Sequence, residues 1–255
     1  MSRVAVISDI HGNLPALEAV LGRIGTLDVD EVICLGDIVG YGPDPGRCLD
    51  LVMRCCATRV RGNHDEAAVD PRVAEQFNGP ARRAILWTRE QLGPMHFSAL
   101  QQMPLVDNQH PVYMCVHDCP CPAPSDYVYD RDMAALAFRA VDRPMCLLGH
   151  THVPMVFEAT TDDPEHPVAP TDITAFIMSS DGCEIEIQPG CRYICNPGSV
   201  GQPRDCDPRA SFGLIDLEAM TFTVHRQEYD IVAAQQATQQ AGLPPILAER
   251  LAAGA

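Results

Sequence analysis

Five short polar clusters punctuate this chain: Asp9-x-His11, Gly36-Asp37, Gly62-Asn63-His64-Asp65, His117, and Gly149-His150-Thr151-His152. They offer carboxylate and carboxamide oxygens from Asp9, Asp37 and Asn63, and imidazole nitrogens from His11, His117, His150 and His152. That mixture of donors suits divalent ions of the manganese, iron and zinc kind. Two sites follow if one carboxylate bridges. A pair of ions about 4 Å apart is the clamp used for in-line displacement at phosphorus. Taken singly, each cluster is weak. Asp-x-His is common, Gly36-Asp37 is an ordinary turn, and His117 alone reads as a buried, hydrogen-bonded histidine. Gly149-His150-Thr151-His152 is more telling, because two histidines one residue apart at a strand end point to the same side.

The elements around the clusters explain how they can meet. Val4–Ser8 is a β-branched apolar run of the kind found in buried parallel strands. Asn13 can cap the helix that follows, with Pro15 in its first turn and Leu14, Leu17, Leu21 and Ile24 on its apolar face. Val32–Leu35 and Ala57–Val60 read as the next strands, and Asp44-Pro45 as the start of a helix between them. Every strand in this alternation ends in a polar cluster. In open α/β sheets, ligands collect at the carboxyl ends of strands.

Residues 71–103 look mostly helical, broken at Gly79-Pro80 and Gly93-Pro94. Val112–Val116 is a predicted strand ending at His117, Arg131–Val141 a helix, and Pro144–Leu148 a strand ending at Gly149. Beyond that the pattern turns to strands. Phe176–Ser179 and Glu184–Ile187 look like a hairpin closed by Asp181-Gly182. Arg192–Cys195, Phe212–Asp216 and Thr221–Arg226 are further strands, and Ile231 onwards is helical with a break at 242–245. The stretch 160–171 is expected to be a surface loop.

Composition narrows the field. The 255 residues fit one good-sized α/β domain, residues 1–255, with residues 231–255 as a helical appendage. The net charge is −16 and every basic residue is arginine, which argues against a long nucleic acid as partner. No apolar run approaches a membrane span, and the chain opens directly on a strand pattern without a leader. A cytoplasmic location without a membrane partner is the expectation. Oligomeric state is left open. Twelve cysteines lack any Cys-x-x-Cys pair, so they read as reduced small hydrophobes. Cys115, Cys119 and Cys121 around His117 are the group that an accessory metal or redox role would use.

The ordered set of five motifs resembles the calcineurin-like metallophosphoesterase superfamily over roughly residues 1–205. The runs Ser8–Asn13, Gly40–Pro45 and Asn196–Gly201 resemble its small single-domain YfcE-like phosphodiesterase branch. The resemblance implies a four-layer α/β/β/α sandwich of two mixed sheets, with the site above the sheet edges. It implies two divalent ions, manganese first, with iron, zinc, nickel or magnesium as alternatives. Asp9, His11 and His152 would hold one ion, Asn63, His117 and His150 the other, and Asp37 would bridge. His64 would face the substrate and stabilise charge or protonate the leaving oxygen while a metal-bridging hydroxide attacks phosphorus.

Two departures matter. In the phosphoprotein phosphatase branch the second motif continues into Val-Asp-Arg-Gly, whose Asp partners the histidine and whose Arg grips phosphate; here Gly40 and Tyr41 stand at those places. At the fourth motif Asp118 follows His117, where relatives carry a glycine. Asp65 is a candidate for orienting its neighbours, and Tyr41, Asp118 and Arg204 for meeting substrate, with Tyr127 and Tyr129 as further candidates. The expected activity is hydrolysis of a small phosphodiester, a nucleotide among the candidates. The alternatives are a phosphomonoesterase or protein-phosphatase-like hydrolase, and a non-catalytic metal-binding scaffold such as the retromer subunit that shares this fold. That scaffold lacks the histidine of the third motif, which His64 supplies here.

Overall fold

The structure is a computed structural model that describes residues 2–122, 126–161 and 167–255. Its first sheet begins with β1 (Arg3–Ile7), β2 (Glu31–Cys34) and β3 (Thr58–Arg59), which run parallel. Between them lie α1 (Leu14–Ile24) and α2 (Pro45–Cys55). Asn13 caps α1 as expected, accepting from the Ala16 N–H at 3.3 Å. Asp44 precedes α2, but its carboxylate makes no cap hydrogen bond.

The segment 61–103 is more helical than its sequence suggested. Gly62 leads straight into α3 (Asn63–Val69), so Asn63 and His64 sit in a first helical turn. The two Gly-Pro pairs mark the starts of α4 (Gly79–Gln91) and α5 (Pro94–Gln102), because proline fits the first turn, where no intrahelical N–H donor is needed.

The second sheet starts with β4 (Val106–Asp107), β5 (Tyr113–Val116) and, after α6 (Arg131–Ala137), β6 (Met145–Leu147). It is completed by β7 (Met155–Ala159), β8 (Ile173–Ile177) and β10 (Arg192–Asn196), in the order β4-β5-β6-β10-β7-β8. β9 (Cys183–Glu186), β11 (Ala210–Asp216) and β12 (Thr221–Gln227) close the first sheet as β3-β2-β1-β11-β12-β9.

The expected hairpin at 176–187 is therefore corrected. β8 pairs with β7 at the edge of one sheet, while β9 pairs with β12 at the edge of the other. Gly182 does turn the chain, with φ +73°. A local turn reverses direction but does not choose the ladder each strand joins. Met178, fully buried between the sheets, anchors the crossing. Of the stretch 160–171, residues 162–166 lie outside the described residues.

Strand alternation builds the layers. Val4, Val6, Ile33 and Leu35 of the first sheet meet Tyr113, Cys115, Leu147 and Tyr193 of the second in one core. The alternate residues Ala5, Ile7 and Cys34 turn outward onto α1 and α2, and Met114, Val116 and Cys146 turn onto α6. The result is the four-layer α/β/β/α sandwich. Cysteines serve it as small hydrophobes: Cys34, Cys48, Cys56, Cys115, Cys146 and Cys195 are buried and unbridged. No metal-ligand group among the described residues includes a cysteine.

After β12 come α7 (Ile231–Gln240) and α8 (Pro245–Ala253). α7 packs on α1, and Leu243 and Leu247 pack with Tyr41, Ala81 and Ala84. No helix among the described residues is long and apolar enough to cross a membrane.

Candidate metal centre

Six parallel strands, β1, β2 and β3 in one sheet and β5, β6 and β10 in the other, deliver their carboxyl ends to one place. Backbone hydrogen bonds lace the loops that follow. The Asp9 N–H donates to Gly36 O at 3.0 Å and His11 N–H to Asp37 O at 2.9 Å. Gly149 N–H donates to His117 O at 3.0 Å, and Gly201 N–H to Asp9 O at 2.9 Å.

The loops are tight. Asp9, His11, Asp37, Tyr41, His150 and His152 all adopt left-handed backbone, with φ from 51° to 67°. Such conformations cost about 1 kcal/mol or more each for a residue with a Cβ and persist where the surroundings hold them. Asp and His tolerate them better than most. His150 and His152 are thus not two alternate positions of a strand, since β6 ends at Leu147. The left-handed turns send His152 to Asp9, His11 and Asp37, and His150 to Asp37 and His117.

These two groups share Asp37, and within each the ligand atoms lie within 4.8 Å of one another. The imidazoles are aimed by backbone carbonyls. Nδ1 of His11 lies 3.1 Å from Val39 O, that of His117 2.8 Å from Leu35 O, and that of His152 2.6 Å from Gln202 O. A carbonyl can only accept, so each Nδ1 carries a proton and each Nε2 points inward, those of His11 and His152 as acceptors. His11 Nε2 then faces His152 Nε2 at 3.2 Å, and His152 Nε2 is 3.3 Å from Asp9 Oδ1. Acceptors facing acceptors in a buried pocket call for cations between them.

Asn63 Oδ1 fits the same picture, being buried without a hydrogen-bond partner. Its helix supplies other donors. The His64 N–H, one of the free amides of a helix start, donates to Asp37 Oδ1 at 2.8 Å. Asp65 is fully buried and accepts from Ile38 N–H at 2.9 Å, Val39 N–H at 3.1 Å and Gly62 N–H at 3.1 Å. Its carboxylate thereby ties the second and third motif loops together. Gly149 is required for close approach, since a Cβ there would meet Ser8 Oγ at 2.0 Å and Asp9 Oδ2 at 2.7 Å.

Charge is finely opposed among the residues of the pocket. Burial lifts the Asp9 carboxyl to about 6. Burial works on Asp37 too, but His117 and His64 outweigh it and hold that carboxyl well below its usual value. Conversely, Asp37 and Asp9 overcome burial to raise His117 to about 10. Burial pushes His64 down to about 4, His150 to about 3, and His11 and His152 well below their ordinary value. The pocket thus presents four neutral imidazoles and one charged one, His117, at neutral pH, and a cation bound there would replace the His117 proton.

His64 stands at the rim. Its ring lies 4.4 Å from that of Tyr41 and 4.6 Å from that of Phe77, and its Nδ1 has no partner. Gly40 explains this: a Cβ there would sit 2.5 Å from that nitrogen, so the chain leaves no side chain at that place to pair with it. A cleft of about 370 Å³ opens beside it, lined among others by Tyr41, Asn63, Phe77, Tyr127 and His150. Tyr127 stacks on His150 with ring centroids 3.9 Å apart, and Tyr129 is exposed. Asp118 lies outside both ligand groups; burial raises its carboxyl, and Asp126 adds to the rise against the pull of His117.

Arg204 sits 6.0 Å from the Tyr41 ring centroid and donates from Nη2 to Gln202 Oε1 at 3.1 Å. Sequence reading missed Gln202, Phe77 and Arg250, none of which belongs to a motif. It quoted the Asn196–Gly201 run without a role. There Asn196 Nδ2 donates to Gly149 O at 2.7 Å, and Ser199 Oγ to Asp9 O at 2.8 Å, bracing two ligand loops.

Comparisons with known proteins agree with this architecture. A family model described as the calcineurin-like phosphoesterase superfamily domain matches residues 2–220. The MJ0912 protein of Methanocaldococcus jannaschii is 32% identical over 257 residues, covering 99% of this chain and 98% of that protein. A crystal structure of a metallophosphoesterase from Sphaerobacter thermophilus is 42% identical, with TM-score 0.86 over 100% of this chain and 99% of that one. The PH1004 protein of Pyrococcus horikoshii OT3 shares the fold at 20% identity and TM-score 0.75, over 100% of this chain and 99% of that one.

Proposed function

Because this chain belongs to the calcineurin-like phosphoesterase superfamily, we propose that it hydrolyses a small phosphodiester at a dinuclear centre bridged by Asp37. The observation that carries this is the pair of buried donor groups sharing one carboxylate. Asp9, His11 and His152 are read as holding one divalent ion and Asn63, His117 and His150 the other. The unpartnered Asn63 Oδ1 and the inward Nε2 atoms support that division. Manganese suits the mixed oxygen and imidazole donors. When bound, such ions lower the pKa of water and neutralise phosphate charge.

The chain's own residues do the rest. The His64 N–H fixes the Asp37 carboxylate, and carbonyls of Val39, Leu35 and Gln202 fix three imidazoles, so the donors are positioned before substrate arrives. The His64 side chain faces the cleft, where it is placed to stabilise or protonate the leaving oxygen. The cleft's volume and aromatic walls suit a small organic leaving group such as a nucleoside. We read the α7–α8 hairpin as part of the same domain, since Leu243 and Leu247 back the Tyr41 wall.

The test is an assay of metal-reconstituted protein on bis-p-nitrophenyl phosphate and p-nitrophenyl phosphate, with bound metal measured in parallel. Faster turnover of the diester is expected. Asp37→Asn should lose metal and activity together. His64→Ala should keep its metal while kcat falls about 10²–10⁴-fold. Wild-type protein that binds no metal and cleaves neither ester sinks the proposal.

A further inference from the structure

Six of the arginines each meet a carboxylate: Arg3, Arg47, Arg72, Arg143, Arg209 and Arg226. Arg204 and Arg250 form no ion pair with an Asp or Glu side chain among the described residues. Both instead donate to one neutral acceptor, Gln202 Oε1, each at 3.1 Å. The arrangement brings two like charges together, and Arg204 helps burial to lower the pKa of Arg250. A guanidinium carries five N–H donors, so one shared amide oxygen leaves most of them without a protein acceptor. Arg204 Nε is buried and has no partner. Arg250 Nε donates to Ala255 O at 2.6 Å, which holds the side chain against the end of α8.

The pair lies at the edge of the metal centre. The Arg204 N–H donates to His152 O at 3.2 Å, and its guanidinium lies 6.0 Å from the ring centroid of Tyr41, whose ring in turn is 4.4 Å from that of His64.

We infer that Arg204 and Arg250 form an anion subsite for a second phosphoryl group of the substrate, separate from the one cleaved at the metals. Like-charged guanidiniums held side by side on one neutral acceptor, with donors to spare, match the oxygen fork of a phosphate. The substrate class is then a nucleotide-like ester that carries a further phosphate beyond the scissile one. This rests on the phosphoesterase reading above.

A matched pair of chromogenic esters tests it: thymidine 5′-(p-nitrophenyl phosphate) with and without a 3′-phosphate. Adenosine 5′-diphosphate and 5′-monophosphate, as competitive inhibitors of bis-p-nitrophenyl phosphate cleavage, cover phosphates linked in a chain. Wild type should prefer the more phosphorylated member of at least one pair by about tenfold or more in kcat/KM or Ki, the size of a charge-assisted contact. Arg250→Gln and Arg204→Gln should bring that ratio to about twofold or less, and Arg250→Lys should keep part of it. Because the readout is a ratio within one protein, a general loss of stability does not mimic it. A wild type with no preference in either pair overturns the assignment, as does a preference that survives in both glutamine variants. Failure to cleave any ester with any metal would instead count against the phosphoesterase reading.

Discussion

The donors at this centre are single atoms held by single backbone groups, and their behaviour follows from what each neighbour can give or take. Asp65 is the plainest case. It touches no ligand group, yet its carboxylate accepts three backbone N–H bonds from the second and third motif loops. Removing it orphans three buried donors, each worth about 1–3 kcal/mol when unmet. Asp65→Ala is therefore expected to lower stability by several kcal/mol and to loosen the seat of Asp37. Urea unfolding and metal titration measure the two effects. A variant as stable as wild type would mean that the loops are held elsewhere.

Among the elements, α3 and the α7–α8 hairpin shape the site beyond the strand ends. α3 begins at the ligand cluster, so its free first-turn amide holds the bridging carboxylate. The hairpin reaches the other wall. Leu247 is 3% exposed and packs with Tyr41. Leu247→Ala should cost about 2–5 kcal/mol, as large-to-small changes in packed cores do. If the hairpin backs the Tyr41 wall, this variant should also raise KM for a nucleotide ester. Equilibrium unfolding and steady-state kinetics read these separately, and an unaltered KM in a destabilised variant would confine the hairpin to a stabilising role.

For the whole molecule, two sheets from distant parts of the chain are joined across a pocket rich in facing acceptors. Cations there bind the folded state and not the unfolded one, so they stabilise by mass action, about 2.7 kcal/mol at a hundredfold excess over Kd. Stripping metal with a chelator is expected to lower the unfolding temperature, and manganese should restore it in wild type but not in Asp37→Asn. Equal melting of stripped and reloaded protein would contradict a cation-dependent pocket. The charge of −16 acts at the same scale, disfavouring long polyanions while leaving the local arginine pair free to attract a small one.

Much of this was legible before any coordinates. Strand ends concentrate polar residues, so Asp9, His11, Asp37, Asn63, His117, His150 and His152 stood out as clusters, and the ordered motifs carried the resemblance that implied the layered sandwich. Asn13 with Pro15, and Asp44-Pro45, located the starts of α1 and α2 from local chemistry alone. The tertiary structure alone decided what depends on long-range packing. It put β8 and β9 in different sheets, because a turn does not choose a ladder. It supplied the left-handed backbone, announced by no residue type, through which His150 and His152 reach the different donor groups that the resemblance implied. It brought Arg250, near the end of the chain, to the same amide oxygen as Arg204, because the hairpin's apolar face docks against the site and carries its last turn there.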